Sequence, residues 1–539
     1  MSFQIIVARY TENLEWVNRL SNLYDLKENN FPPIVVYNKG ESIDTNIFAI
    51  KPSIIERQNI GREVESFLYH IIMNYDNLPD YLIFVQGDPF SHMNVTETNI
   101  CSNIENLLLH GVDDTKCLFT NPFNEDDYTF TSLHTKQYFS LLFDTLNVPV
   151  VYKFSAGCQY IVPKKNILLR SFNFYSNLHS MTLNTSVLTS IEAHDESSNN
   201  MFERKSICGW TLERLLLYIF TDSYPSNPFM ERKRYLVTGG AGFIGSNLIK
   251  ELLTSEDTPN IVVIDNMSTG NEEYLNTVEI KENITLFKTS ILDENSFFRV
   301  GKVDGIFHFS AMSKVLPSLE NKDMVNFCVE QNILGTVNLL KYASSFQPPI
   351  KVIYSASSTC YGLNDIPNVE TDSVNCQTPY ALSKYCGELY CDLFYRLYSV
   401  PSVRLRYFMV YGPNEPSEGA YAVVTGIFLK RKKENKPLLI HGDGSQTRDF
   451  VHVKDVCRAN ILAMQNKDLV NDTINVGTGE MVSIKQLADF ISPNQIFVEA
   501  RKVDLKHTLA DVSMLKGKLN WTPELKIKDY LAEEISRIN

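Results

Sequence analysis

Tyr380 and Lys384 stand four residues apart in the segment PYALSK. Residues at that spacing share one face of a helix, so the phenol and the ammonium come together. A tyrosine with its ordinary pKa of about 10 is a poor base at neutral pH, but an adjacent ammonium and a cationic ring on a bound ligand would lower it by on the order of 3 units, about 4 kcal/mol. Tyr380 would then serve as a general base. Alone, such a pair is common by chance and more often marks a packed tyrosine beside a solvated lysine. Its surroundings decide.

The run TGGAGFIGSNL carries Gly239, Gly242 and Gly245 spaced G-x-x-G-x-x-G, between an apolar strand pattern and a helical one. Such glycines permit a tight turn, close backbone approach to a pyrophosphate and close helix packing, while the helix N-terminus offers N–H donors to the phosphates. Asp265 closes the next strand, VVID, 20 residues after Gly245. There a carboxylate accepts bonds from the ribose hydroxyls and repels a 2′-phosphate, which favours NAD over NADP.

The elements that must hold these groups follow from hydrophobic alternation. From Arg234 onward short apolar strands (YLVTG, IVVID, GIFHFS, KVIYSAS, VRLRYF) alternate with amphipathic helices, one from about Phe243 and a long one from Tyr380 to about Ser399. This predicts an α/β fold, a doubly wound parallel sheet of Rossmann type with helices on both faces, ligands lying at the carboxyl ends of the strands. A Pro- and Ser-rich, charged stretch, TDSYPSNPFMERK, marks the boundary, so the expected organisation is an α/β domain over 1–220, a linker over 221–233 and the cofactor-binding domain over 234–539.

Nine segments then appear in one order: TGGAGFIGSN, VVIDN, HFSA (308–311), NILGTVNLL (332–340), SASSTCYG (355–362), PYALSK, LRYFMVYGP (405–413), GDGSQTRDFVHVKDV (442–456) and INVGTG (474–479). On these the region from Lys233 to the C-terminus resembles the extended short-chain dehydrogenase/reductase family, specifically the nucleotide-sugar 4-epimerases. The resemblance implies a small substrate-binding lobe beside the Rossmann-type sheet, and Ser357, Tyr380 and Lys384 as catalytic residues, with Ser357 binding the sugar hydroxyl and relaying its proton. It implies NAD held by Gly239, Gly242, Phe243, Ile244, Gly245, Asp265, Asn266, Ile291, Ser310, Ala311, Asn332, Tyr380, Lys384 and Tyr407. On the substrate side it implies Ser313, Ser357, Ser358, Tyr380, Met409, Arg448, Arg501, Asp504 and Thr508, with Arg448 and Arg501 gripping the diphosphate and Asp504 a ribose.

Within that family the two positions after the catalytic hydroxyl discriminate: 4,6-dehydratases carry Asp-Glu there and glucuronate decarboxylases a Glu. Here they are Ser358 and Thr359. Without a carboxylate no elimination has an evident acid, which leaves oxidation and re-reduction at C4, with 4,6-dehydration and 4-keto reduction as alternatives. Three positions depart from or refine the pattern. Met409 replaces a usual Asn, Thr289-Ser290-Ile291 replaces a usual G-D-I beside adenine, and Thr508 leaves room for an N-acetyl group, pointing to a UDP-hexose or UDP-N-acetylhexosamine.

The first 220 residues also alternate strand and helix: FQIIVARY, a helix from about Glu12, PPIVVYN, GREVESFLYHIIMNY and YLIFVQGD. They resemble an uncharacterised domain family related in appearance to nucleotide-sugar glycosyltransferases, or else form a non-catalytic binding unit. Asp88, with His92 nearby, is the one candidate metal ligand; otherwise no metal is expected. Glu63, Glu65 and Glu213 read as solvated helix positions.

A chain of 539 residues with 44% hydrophobic and 21% charged residues is globular and long enough for two domains. The net charge of −13 disfavours nucleic acid as a partner. No 18-residue apolar run and no signal-peptide pattern occurs, so no membrane partner and a cytosolic location are expected. The ten scattered cysteines, with no C-x-x-C pair, read as buried thiols. Tyr385, Leu389, Leu393 and Leu397 form an apolar helix face that would build a homodimer contact.

Overall fold

The computed structural model describes residues 2–10, 12–18, 34–48, 51–57, 62–87, 104, 112–117, 139, 142–143, 159–183, 212, 215–255, 257–276, 283–313, 315–419, 422–500 and 505–538. They fall into two compact units, Met1–Arg232 and Lys233–Asn539.

The first unit is built on strands β1 (Phe3–Arg9), β2 (Ile34–Asn38), β3 (Ser53–Glu56), β4 (Tyr81–Gln86), β5 (Lys116–Cys117) and β6 (Tyr160–Pro163). Their order is β3-β2-β1-β4-β6-β5, with β6 antiparallel to both its neighbours and the rest parallel. β1, β2 and β4 are near-continuous apolar runs because both faces are covered. One face packs on α1 (Arg62–Asn74) and α2 (Phe172–Leu183) through Ile6, Val35, Phe84, Phe67 and Leu178, and the other buries Ile5, Val36 and Ile83 with Trp16.

Glu63 and Glu65 correct the expectation of solvated helix positions: both are buried in the first turn of α1. Glu65 meets Lys39 Nζ at 2.8 Å, His179 Nε2 at 3.0 Å and the Arg57 guanidinium, which stacks 3.7 Å from the Tyr69 ring centroid. Burial pushes the Glu65 carboxyl up, and Lys39, His179 and Arg57 more than offset it, so the group is held below the usual carboxylate range. Residues 221–232, linker-like in composition, belong to the first unit, where Met230 is fully buried and Tyr224 packs on Phe139. The helix expected from about Glu12 is a 3-10 turn over 15–18 as far as it is described. Asp88, His92, Glu213 and the loop at 194–200 lie outside the described residues.

The second unit is a seven-stranded, all-parallel sheet of β7 (Arg234–Thr238), β8 (Asn260–Asp265), β9 (Ile284–Lys288), β10 (Gly305–His308), β11 (Val352–Ser357), β12 (Ser402–Tyr407) and, after four short strands, β17 (Asn471–Val476). The order β17-β12-β11-β10-β7-β8-β9 reverses between β7 and β10, the switch point where doubly wound sheets bind dinucleotides. The short strands β13 (Met409–Tyr411), β14 (Leu438–His441), β15 (Thr447–Arg448) and β16 (Phe450–His452), with β18 (Val482–Ser483) and β19 (Gln495–Val498), form a small lobe with its own core around Phe428, Leu438 and Leu487.

Three helices position the chemistry. α3 (Phe243–Leu253) follows the glycine turn, and α4 (Gly335–Ser344) is preceded by a π-helical turn, Val329–Leu334. α5 (Pro379–Tyr398) begins where Thr378 caps the Ala381 N–H with proline at its first position, and ends at Ser399 in the left-handed conformation. No helix among the described residues is long and apolar enough to cross a membrane.

Candidate active site

β11 ends at Ser357, whose side chain caps the 3-10 turn Ser358–Tyr361. Its Oγ accepts the Thr359 N–H at 3.3 Å and lies 2.9 Å from Thr359 Oγ1. α5 packs on β11 because Gly387 has no Cβ, which would collide with Tyr354 Oη; that hydroxyl donates to the Lys384 carbonyl at 3.0 Å. The packing delivers Tyr380 and Lys384 to the end of β11. Burial pushes the Tyr380 phenol above its ordinary value, and its hydrogen bond with the Ser357 hydroxyl pulls it down.

Lys384 is buried, its Nζ 3.4 Å from Ser355 Oγ and 4.5 Å from the Tyr354 ring centroid. Burial lowers its pKa to about 8, with Glu388 acting upward. Glu388 is already committed: it receives Arg406 Nε at 3.0 Å and Nη2 at 2.7 Å. Lys384 therefore has hydroxyl and ring neighbours where an ion pair would ordinarily form, leaving hydrogen-bonding capacity for a ligand.

The glycine turn makes a cradle. Gly239, at φ +69°, would place a Cβ 2.7 Å from Ser310 N, and a Cβ on Gly245 would strike the Gly239 carbonyl. No side chain caps α3 at Gly242, so its first-turn N–H groups face outward beside half-buried Phe243 and Ile244. Asp265 ends β8 with one oxygen accepting from Ala241 N at 3.0 Å and the other from Met267 N at 2.9 Å. Each oxygen keeps a further lone pair for a hydroxyl. Burial raises the Asp265 pKa, against those two N–H bonds. Glycine cradle, uncapped helix end and acid together fit NAD.

The other expected cofactor residues sort into open and engaged groups. Ser310 and Ala311 follow β10 half-buried, and Asn266 is exposed, accepting from Ser268 N. Ile291 is buried against the Cα of Gly335, and Tyr407 Oη bonds Asn460 Oδ1 at 2.9 Å inside the sheet's core. Asn332, on the π-helical turn, accepts from Met312 N at 2.7 Å and donates to Met312 O and Ser383 Oγ. Ser383 in turn donates to the Tyr380 carbonyl, so Asn332 ties the 310–313 loop to the first turn of α5.

On the substrate side Ser358 is half-buried and Ser313 exposed. Met409 packs against the small lobe's core. Arg448 is buried with Nη1 on the Thr447 carbonyl at 2.8 Å, and Thr508 donates its N–H to the same carbonyl at 3.2 Å. Arg501 and Asp504 lie outside the described residues.

Several supporting residues carry no signal in the sequence. His308, inside the HFSA segment, bridges Thr238 at 2.7 Å and Thr336 at 3.0 Å, and burial lowers its pKa to about 3, so it is a neutral strut. Asp449 accepts from Thr478, Gly479 and Ala510 and pins the loops around Arg448. Thr359 stands out in the sequence only as a non-carboxylate; nothing there announces its hydroxyl contact with Ser357.

Residues 235–477 match the NAD dependent epimerase/dehydratase family, and residues 5–232 match a family of proteins of unknown function, DUF3431. A UDP-glucuronate 4-epimerase of Thermodesulfobacterium geofontis is 31% identical over 319 residues, covering 56% of this chain and 95% of that protein. A solved UDP-N-acetylglucosamine 4-epimerase of Methanobrevibacter ruminantium, in complex with UDP-N-acetylmuramic acid, is 33% identical with a TM-score of 0.53, covering 57% of this chain and 97% of its own. The UDP-glucuronic acid 4-epimerase of Bacillus cereus, solved with UDP-glucuronic acid and NAD, is 29% identical with a TM-score of 0.52, covering 57% and 98%.

Proposed function

Through its second unit the chain belongs to the NAD-dependent epimerase/dehydratase family, and from that premise we propose that it inverts C4 of a UDP-hexose or UDP-N-acetylhexosamine through a 4-keto sugar. The observation that carries the reading is that α5 brings Tyr380 and, one helical turn on, Lys384 to the end of β11 at Ser357, which is followed by the hydroxyls of Ser358 and Thr359. Bound here, NAD would supply the hydride acceptor for oxidation at C4 and the donor for reduction from the sugar's other face. Ser357 receives the 4-hydroxyl proton and hands its own to Tyr380, which is held as a base by the nearby cation of Lys384. Lys384 Nζ and Asp265 hold the cofactor's two riboses. Arg448, with Arg501, binds the diphosphate, and Asp504 the substrate ribose.

Small, half-buried Thr508 favours an N-acetyl substituent at C2. A homodimer forms through α5, whose Leu389 and Leu397 are 50% and 62% exposed. The proposal also places the chain in the cytosol. For the first unit, glycosyl transfer using the epimerised donor is favoured by its strand order, which reverses between β1 and β4 as ligand-binding sheets do; a non-catalytic binding unit would transfer nothing from any donor. The test is incubation with UDP-, dTDP- and GDP-sugars followed by mass spectrometry and proton NMR. Unchanged mass with inverted C4 is expected. Loss of water or carbon dioxide, or stoichiometric NADH consumption, would replace epimerisation by dehydration, decarboxylation or keto reduction.

A further inference from the structure

Resting on that reading of Ser357 and Tyr380, we propose that the Thr359 hydroxyl ends the hydrogen-bond chain of the proton relay: it accepts a hydrogen bond from Ser357 whenever Tyr380 is protonated. A serine hydroxyl has one hydrogen and two lone pairs. Ser357 Oγ accepts the Thr359 backbone N–H, and a protonated Tyr380 donates to it, so both lone pairs are filled. Its single hydrogen then goes to the remaining neighbour, Thr359 Oγ1 at 2.9 Å. The buried hydroxyl is fully satisfied in this arrangement.

Ionised Tyr380 is a stronger acceptor than a neutral hydroxyl. The Ser357 hydrogen swings to it, and the lone pair that Tyr380 vacated is open to the sugar's 4-hydroxyl. As the O4–H bond breaks, that proton moves to Ser357 and the former Ser357 proton to Tyr380, while the C4–H electron pair leaves as hydride to NAD. Tyr380 is then protonated, and the chain Tyr380 to Ser357 to Thr359 re-forms around the 4-keto sugar. Thr359 thus stabilises the stage that stores the proton until O4 is re-protonated. It is a positioning residue: it acts through Ser357.

The experiment compares wild type, Thr359→Val and Thr359→Ser, each checked for a native melt, with UDP-N-acetylglucosamine and UDP-glucose as substrates. Valine keeps the shape and the backbone N–H but accepts nothing. For a lost hydrogen bond the expected result is a kcat lower by about tenfold, KM within about twofold, and an acid limb of kcat displaced to lower pH by about half a unit or more. Serine restores both. An unmoved acid limb, a serine variant as slow as valine, or a loss confined to KM overturns the proposal, the last making Thr359 a sugar contact. Titration of Tyr380 by NMR of ring-labelled tyrosine in the holoenzyme, identified with Tyr380→Phe, separates the two readings. A wild type that inverts no sugar sinks the C4 assignment, yet a Tyr380 titration unchanged by valine still sinks the relay end.

Discussion

Each unit buries charge at the base of a helix, and the two do it differently. In the first, Glu65 is enclosed by Lys39, Arg57 and His179, so each charge has its partner within the cluster. In the second, the carboxylate nearest Lys384 belongs to Arg406, and the lysine is left with hydroxyl and ring neighbours. Isolated buried charge is costly and buried pairs about break even, so the first arrangement is structural and closed. The second is kept at a cost, which on the proposed reading a bound cofactor offsets. Burial alone does not mark a site; burial with uncompensated charge does.

Breaking the second cluster should have the largest effect. Tyr380→Phe removes the proposed base and should lower kcat by about 1,000-fold or more while NAD binding and the melt are retained. An active phenylalanine variant would end the parallel, because the cluster would then be a packing device like the first. Glu65→Gln addresses the other side. It removes the carboxylate that Lys39, Arg57 and His179 share and should destabilise the first unit by about 3–5 kcal/mol, read as an earlier unfolding transition, with C4 inversion unaffected. Loss of inversion with an unchanged melt would mean that the first cluster also serves the reaction.

This contrast was only half legible in the sequence. The glycine turn, Asp265 and the Tyr380/Lys384 pair could be read because their chemistry lies in local spacing on one turn or one helix face. The parallel sheet could be read because strands covered on both faces are continuously apolar. The closed cluster could not. Glu65 has the periodicity of a solvated helix position, and it is buried by partners on other elements, His179 being 114 residues away. The same holds for His308, whose partners lie 70 and 28 residues off, and for Asn332, which ties positions 20 and 51 residues away. Such contacts leave no period in the chain. Thr359 is adjacent to Ser358 and still escaped, because a hydroxyl that orients another hydroxyl is chemically indistinguishable from an ordinary turn threonine.

Lys384→Met removes the buried cation, and its effect depends on pH. The folded pKa of about 8 lies below the ordinary lysine value near 10.5. Between those values the unfolded chain binds more protons than the folded one, so wild-type stability rises with pH across that window. The cost of the buried cation is fully present below pH 8 and absent above 10.5. It amounts to about 3 kcal/mol. The methionine variant of the cofactor-free protein should therefore melt higher than wild type at pH 7 and converge with it above pH 10.5, although it is inactive. If it melts lower at pH 7, Lys384 is compensated after all and the two clusters are alike.

The smallest effect should come from Asp265, which lies between the two cases. It is a buried carboxylate with no ion pair among the described residues, held by two backbone N–H groups that stabilise its charge without closing its outer lone pairs. Asp265→Asn keeps one acceptor and turns an amide N–H toward the other backbone donor, while the repulsion of a 2′-phosphate is lost. Titration with each dinucleotide should show NAD binding weakened by about tenfold, the worth of one charge-assisted hydrogen bond, and NADP binding changed far less, so that the preference for NAD narrows. An unchanged NAD-to-NADP ratio would mean that the carboxylate only shapes the turn. Asp265 would then join Glu65 as a charge buried for the fold, and discrimination between the two dinucleotides would have to come from Asn266 and the exposed segment after it.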